Sequence, residues 1–317
     1  MKYEKNKNIQ VVGFLGKFGF WARKTFPKLC SDMYLEYLRG KARKIDREYI
    51  DKVMAQENKN PLFIHIETIN RCNGTCPFCP CNRNEDKRQM KLMDMELFHK
   101  VIDDMQAHEY SGIYMLNANC EPFLDKRMPE MIAEAADKLP KAQQILFSNG
   151  TLITNEILEK IAGKLDCLYV NNYSEKYELN ESSKRIYEYV KNNREKFGNM
   201  KVQIEFRYAN EVLTNKGGMA PNKKNEQKIY TNLCPNPYTE TVIYPDGVVG
   251  LCCNDNYETT NFGNVKDASI FEIFNGEKIN RVRRMMRNGR DGYEFCKYCD
   301  FVSKDGRRER WIKTGRE

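Results

Sequence analysis

The sequence predicts an α/β protein built on a parallel sheet, because from residue 62 onward short aliphatic runs alternate with segments of helical period. The predicted strands span residues 62–68, 112–116, 143–147, 167–170 and 202–206. The predicted helices span about 94–107, 129–138, 155–164 and 182–197. Five strands are too few for a closed eight-stranded barrel, so we expect a partial, splayed barrel.

Residues 1–60, before this core, mix apolar side chains with glycine and basic residues. They are predicted to form a helical extension packed on the main domain. The alternative is a basic amphipathic helix over residues 9–28 that contacts an anionic membrane surface. No uninterrupted apolar run approaches the ~20 residues that a transmembrane helix needs.

The character of the chain changes after the barrel. Residues 61–215 are predicted to form the barrel, 216–233 a linker and 234–317 a small second domain. In that domain, Pro245-Asp246-Gly247 provides the turn of a β-hairpin. Ser269 and Glu272 have the spacing of a capping box and predict the start of a helix.

Composition and charge limit the classes of function. The 317 residues include 12 cysteines behind an opening, MKYEKNKN, that is unlike a secretory signal, so we expect a reducing, cytoplasmic environment. The net charge of +8 lies at the ends, since residues 1–60 carry 14 Lys and Arg against 7 Asp and Glu, and residues 276–317 carry 13 against 7. The middle of the chain is therefore acidic, which argues against a nucleic-acid partner.

The first cysteine cluster follows the first predicted strand. Cys72, Cys76 and Cys79 have the spacing C-x3-C-x2-C, which can hold three corners of a [4Fe-4S] cluster and leave the fourth iron without a protein ligand. A zinc site completed by Cys81 is disfavoured, because structural zinc usually joins two short hooks that lie farther apart in sequence.

This triad, with Phe78 before its third cysteine, resembles the radical S-adenosylmethionine (SAM) superfamily. The resemblance implies a partial (β/α)6 barrel in which SAM binds the open iron. One electron then cleaves SAM, and a 5′-deoxyadenosyl radical takes hydrogen from an unactivated carbon. The resemblance also implies a one-electron reductant such as flavodoxin or ferredoxin.

Further residues match SAM-contact motifs of this superfamily. Asn119-Cys120-Glu121-Pro122 follows the second strand where the family has a GGEP-like motif, and Ser148-Asn149-Gly150 follows the third. The resemblance makes Glu121, Ser148 and Asn149 candidate SAM contacts. Cys120 departs from the usual glycine of the motif.

A second cysteine set lies in the C-terminal domain and consists of Cys234, Cys252, Cys296 and Cys299. Taken alone, four cysteines with one C-x2-C pair suit zinc as well as iron and sulfide. The region, including Gly263-Asn264-Val265, resembles the SPASM and twitch extensions of radical SAM enzymes. That resemblance implies a twitch domain with one auxiliary [4Fe-4S] cluster, and hence two clusters in all.

Four other residues are considered for a place at the site. Cys253 is a hydrogen-atom donor, a small buried hydrophobe or a participant in cluster ligation, and Cys120 is the second candidate donor. Arg207 is expected at the top of the barrel, either as a clamp for an anion or diol of the substrate or in a strand-end salt bridge. Tyr173 is either a lining residue of the substrate site or, as we expect, a surface tyrosine.

The function expected from these features is hydrogen abstraction from a polyhydroxylated small molecule such as a sugar, nucleotide sugar or aminocyclitol. Thiol donation would give epimerisation, whereas loss of an electron to the auxiliary cluster would give alcohol oxidation. Maturation of a ribosomal peptide or protein side chain is the alternative, although residues 1–60 are short for a peptide-binding module. A cluster-bearing electron carrier is the third hypothesis.

Overall fold

An eight-stranded sheet organises the computed structural model, which describes residues 8–12, 16–56, 59–223 and 228–302. The strands are β1 (Ile9–Val12), β2 (Phe63–Ile66), β3 (Ile113–Met115), β4 (Gln143–Ser148), β5 (Cys167–Tyr173), β6 (Lys201–Arg207), β7 (Glu240–Ile243) and β8 (Val249–Gly250). Their order is β1-β6-β5-β4-β3-β2-β7-β8, and every neighbouring pair is parallel except β7 with β8.

The helices connect these strands. They are α1 (Gly16–Thr25), α2 (Pro27–Met54), α3 (Met95–Ala107), α4 (Met128–Lys138), α5 (Asn155–Ile161), α6 (Glu181–Asn192), α7 (Arg194–Phe197), α8 (Asn236–Thr239), α9 (Ile270–Asn275) and α10 (Glu277–Met285). The five barrel strands and four intervening helices predicted from the sequence are therefore confirmed.

Alternating side chains give the sheet two different faces, because successive residues of a strand point in opposite directions. Ile64 and Ile66 of β2 belong to the main core, which includes the apolar faces of α3 and α4. Phe63 belongs instead to a second core with Ile113 and the buried Cys167. This second face lines the inside of the splayed barrel.

The expected helical N-terminal extension is only partly correct, because its first described element is a strand. Strand β1 pairs in parallel with β6 and adds a sixth strand to the barrel edge. The side chain of Asn8 anchors it by donating to the carbonyls of Gly198 (2.9 Å) and Met200 (3.0 Å). Four residues beside helical segments give too short a period-two pattern to be recognised from sequence.

The hairpin of the C-terminal region is confirmed at β7 and β8, and the capping box of Ser269 and Glu272 begins α9. Its strand β7 also pairs in parallel with β2, which the sequence had not indicated. The second cysteine region is thus continuous with the barrel sheet. Among the described residues, no helix has the length and apolar character needed to cross a bilayer.

We predict that Asn8→Ala lowers the free energy of unfolding by about 1–3 kcal/mol, because it leaves two carbonyls beside the buried Asn8 side chain without donors. Chemical denaturation of the reconstituted protein measures this change. The exposed neighbour Gln10→Ala is the matched control. Equal stability of both variants would show that the anchor of β1 contributes nothing.

Candidate iron-sulfur active site

The loop after β2 brings the thiols of the first cysteine set together around Gly74. A Cβ at this glycine would lie 3.3 Å from Sγ of Cys72 and 3.8 Å from Sγ of Cys76. The Gly74 N–H donates to the Cys72 sulfur at 3.2 Å, and the Cys79 N–H donates to the Cys76 carbonyl at 3.0 Å. A side chain at Gly74 would therefore crowd the Cys72 sulfur.

Burial makes these three thiols poor acids. It raises the pKa of Cys72 to about 12 and also raises the pKa values of Cys76 and Cys79. A thiolate is the ligand form of cysteine, and a bound metal deprotonates it. We therefore expect these cysteines to become thiolates only when metal binds.

The three residues that the resemblance implied as SAM contacts lie together beside this loop. The Glu121 carboxylate accepts hydrogen bonds from the Ser148 hydroxyl at 2.8 Å and from the Asn149 N–H at 2.8 Å. Asn149 also donates through Nδ2 to Oδ1 of Asn73 in the cysteine loop at 2.7 Å. Burial raises the pKa of Glu121, and the hydrogen bonds that it accepts oppose this rise.

Tyr173 corrects an expectation, because it lies at the site and not at the surface. Its side chain is hydrogen-bonded to Cys76, and its ring centroid is 6.4 Å from that of Phe78. Burial raises its pKa well above the usual value. Strand β5 runs three residues beyond its predicted end at Val170 and carries Tyr173 to the cysteine loop.

Two further residues at the site were missed from the sequence. Glu67, directly after β2, is fully buried, and burial raises its pKa to about 8. Its Oε2 has no hydrogen-bond partner among the described residues. Lys216 has a left-handed backbone (φ 51°), and its charge lowers the pKa of Cys79 against the effect of burial. An acidic residue ending an apolar strand was the only available signal for Glu67.

Arg207 ends β6 close enough to Cys76 for its charge to lower the pKa of that thiol. Its guanidinium bonds to Glu211 at 3.0 Å and to Asn171 at 3.2 Å, and it lies 3.5 Å from Glu205. Burial alone would lower its pKa, but the two carboxylates raise it. The salt bridge, one of the two roles expected for Arg207, forms at the rim of the barrel, and the substrate clamp stays a prediction.

The four cysteines of the second set are all buried and interact electrostatically with one another. Arg290, also buried, lies beside them and donates to the carbonyls of Cys299 (2.6 Å) and Leu233 (3.1 Å). Burial alone would lower the pKa of Arg290, but the charges of Cys234, Cys299 and Cys296 raise it. A fixed cation next to four thiolates offsets their negative charge.

The distances between the cysteine sulfurs distinguish an iron-sulfur cluster from a single zinc ion. Among the described residues, the only three donors within 4.8 Å of one another are His65, Glu240 and Cys253. No three cysteines of either set are that close, whereas thiolates on one tetrahedral zinc lie ~3.8 Å apart. A cubane cluster separates its thiolates on different irons. The two sets therefore fit SAM-binding and auxiliary [4Fe-4S] clusters, respectively.

Cys253 lies between β2 and the second cysteine set. Its sulfur is within 4.8 Å of donor atoms of His65 and Glu240, and Asn254 Nδ2 lies 3.9 Å from it. The Cys253 N–H donates to Glu240 at 3.2 Å, and His65 Nε2 lies 3.7 Å from the same carboxylate. These polar neighbours differ from those of a cysteine that fills an apolar core. Cys120, by contrast, lies near Cys72 and Glu67, and burial raises its pKa well above normal.

Polar contacts join the first cysteine loop to the C-terminal hairpin region. Cys81 donates its thiol hydrogen to the Asn256 carbonyl at 3.3 Å, and the Tyr257 hydroxyl donates to Pro80 at 2.9 Å. Arg88 also bonds to Glu258 at 3.0 Å. Cys81 therefore has a structural place in this contact.

Two known protein families match this chain. The Radical SAM superfamily matches residues 66–194, and the SPASM iron-sulfur cluster-binding domain matches residues 234–300. The chain is 23% identical over 245 residues to the S-adenosyl-L-methionine-dependent 2-deoxy-scyllo-inosamine dehydrogenase of Niallia circulans, covering 76% of this chain and 93% of that protein.

Solved structures share the fold. The crystal structure of BtrN in complex with AdoMet and 2-DOIA aligns with a TM-score of 0.64 and 22% identity, covering 78% of this chain and 95% of that one. Native anSMEcpe with bound AdoMet aligns with a TM-score of 0.51 and 14% identity, covering 76% and 93%.

We predict that Glu121→Gln weakens SAM binding by about 10- to 100-fold, because a charged acceptor for an amine is worth roughly 1.5–3 kcal/mol. Equilibrium binding to the anaerobically reconstituted protein measures the effect. Glu156→Gln, on the exposed face of α5, is the control and should bind SAM normally. Unchanged affinity in Glu121→Gln would remove this carboxylate from the SAM site.

Removing one ligand of the second set should abolish only that cluster. Cys252→Ala is expected to reduce iron from about eight atoms per chain to about four, while SAM still alters the spectrum of the remaining cluster. Iron and sulfide analysis with absorption spectroscopy measures both. The matched control, Cys30→Ala, changes a cysteine of α2 and should keep the full iron content. Full iron content in Cys252→Ala would contradict the assignment.

Proposed function

Because this chain is a radical SAM enzyme with a SPASM domain, we propose that it removes a hydrogen atom from a carbon of a polyhydroxylated small molecule. The substrate class is a sugar, nucleotide sugar or aminocyclitol. The main outcome proposed is epimerisation, in which Cys253 returns a hydrogen atom to the opposite face of the carbon. The environment of Cys253 is the observation that carries this proposal.

The inner face of the barrel supports a polar substrate. Register pairs Asn171 with Glu205 and Tyr173 with Arg207, so these four side chains lie on one face near the carboxyl ends of their strands. Carboxylate, amide and guanidinium groups can bind several hydroxyl groups at once. Lower in the barrel the same face becomes apolar at Ile145 and Cys167.

The bound cofactors supply the 5′-deoxyadenosyl radical that breaks the substrate C–H bond. Cys253 then transfers the hydrogen atom of its S–H bond to the substrate carbon, which forms a new C–H bond and leaves a thiyl radical. One electron from the reductant and one proton from solvent restore the thiol. His65 and Glu240 hold the Cys253 loop against β2 during this cycle.

Alcohol oxidation is the second candidate, and it is supported by the similar protein from Niallia circulans, which is named a dehydrogenase. In this outcome, the substrate carbon loses hydrogen, its hydroxyl loses a proton, and one electron leaves toward the four-cysteine set. Glu205 lies on the inner face, 3.5 Å from Arg207, and its carboxylate is suited to accept that proton. Glu211, the other carboxylate near Arg207, is 3.0 Å from the guanidinium.

The test is anaerobic turnover of a panel of nucleotide sugars and aminocyclitols in heavy water, followed by mass spectrometry. A thiol exchanges its hydrogen with solvent, so epimerisation places one deuterium at the inverted carbon. A product lighter by two hydrogens identifies oxidation. A short-peptide panel in parallel tests the peptide-maturation alternative.

Cys253→Ala distinguishes the outcomes further. If Cys253 is the donor, the variant should form 5′-deoxyadenosine but at least about 100-fold less epimer, because the substrate radical has no S–H to react with. Cys167→Ala, in the inner apolar core, is the matched cysteine control. Unchanged epimer formation in Cys253→Ala would exclude thiol donation from this residue. If 5′-deoxyadenosine forms with peptides and with none of the carbohydrates, the proposed substrate class is contradicted.

A further inference from the structure

The N-terminal helices carry an apolar surface that is exposed in the described structure. Of the ten large hydrophobic side chains exposed among the described residues, six lie on these helices or between them. They are Phe18, Trp21, Phe26, Leu29, Met33 and Tyr37. Phe18 is 70% exposed and Trp21 54% exposed. We call this set the aromatic surface.

The aromatic surface is continuous. Ring centroids of Phe18 and Trp21 are 5.9 Å apart, and those of Trp21 and Phe26 are 6.3 Å apart. Leu29, Met33 and Tyr37 follow at intervals of four, which places them along one side of α2.

Helices α1 and α2 each pack a different side against the rest of the protein, so the aromatic surface is separate from their packed sides. Phe20 of α1 packs against Phe206 and Tyr208. Leu35 and Leu38 of α2 pack against Val302. Exposed apolar surface of this extent on such helices marks a binding face.

Lysines flank the α1 end of the aromatic surface. Lys17, Lys24 and Lys28 are exposed on these helices, although Lys24 also pairs with Glu175 at 2.9 Å, and no acidic residue occurs between Lys17 and Lys28.

We propose that the aromatic surface binds the surface of an anionic lipid bilayer. Aromatic and aliphatic side chains enter the boundary between headgroups and acyl chains, while lysines contact lipid phosphates. A protein partner or a second copy would also cover apolar side chains, but the exposed lysines at the α1 end favour a negatively charged surface. RNA would meet the lysines and leave Leu29 and Met33 in water.

This surface lies next to the mouth of the barrel. Arg23 of α1 bonds to Glu211 at 3.2 Å, and Glu211 bonds to Arg207 at the end of β6. A bilayer bound to α1 therefore lies beside the substrate opening. The proposal concerns docking alone and does not depend on the proposed reaction.

Sedimentation of the full, reconstituted protein with vesicles tests the proposal. The protein should bind vesicles of phosphatidylcholine mixed with phosphatidylglycerol, and binding should decrease at high salt and with phosphatidylcholine alone. The double variant Phe18→Ser/Trp21→Ser and the double variant Lys17→Glu/Lys28→Glu should each bind at least about tenfold more weakly. The control Ile229→Ser/Met285→Ser alters two exposed apolar residues elsewhere and should bind normally.

Iron content and circular dichroism of each variant establish that it is folded. No binding of the wild-type protein to anionic vesicles would overturn the proposal, as would equal binding by the aromatic variant and the control. Dimerisation that the aromatic substitutions abolish, without vesicle binding, would assign the surface to a second copy. Binding to an oligonucleotide but not to vesicles would assign it to nucleic acid.

Discussion

The position of strand β2 between β3 and β7 is the constraint on which the site depends. Hydrogen bonds on one side of β2 hold it in the barrel, and those on the other side hold the hairpin of the second cysteine region. The loop that leaves β2 contains Cys72, while β8 leads to Cys252 and Cys253. Both cysteine sets are therefore attached to one group of paired strands, which fixes where they lie relative to β2.

The two cysteine sets differ in their electrostatic surroundings. The first set lies with Glu121, Tyr173 and Lys216, so its surroundings are polar and charged. The second set is enclosed, with Arg290 as its buried counter-charge. Four thiolates without an open position suit electron transfer more than substrate binding. Cys253 directly follows Cys252 of this set and lies beside His65 of β2.

Local patterns were enough to predict the barrel strands, the hairpin turn and the capping box, because each depends on residues that are neighbours in sequence. The spacing of the cysteines likewise identified the two sets as candidate cluster ligands. Contacts between distant strands were not predictable in the same way. Asn171 and Asn172 have low β-propensity, yet pairing with β6 extends β5 through them and brings Tyr173 to Cys76. Likewise, nothing local in residues 9–12 or at Glu240 indicates pairing with β6 or proximity to His65. These placements depend on tertiary packing, which overrides local preference.

The central claim is that one of two iron-sulfur clusters has an open iron that binds SAM. The most direct measurement is electron paramagnetic resonance of the anaerobically reconstituted, reduced protein before and after SAM is added. The account predicts two cluster signals, of which SAM changes only the one that disappears in Cys76→Ala. A protein that contains stoichiometric zinc and shows no signal sensitive to SAM would contradict it.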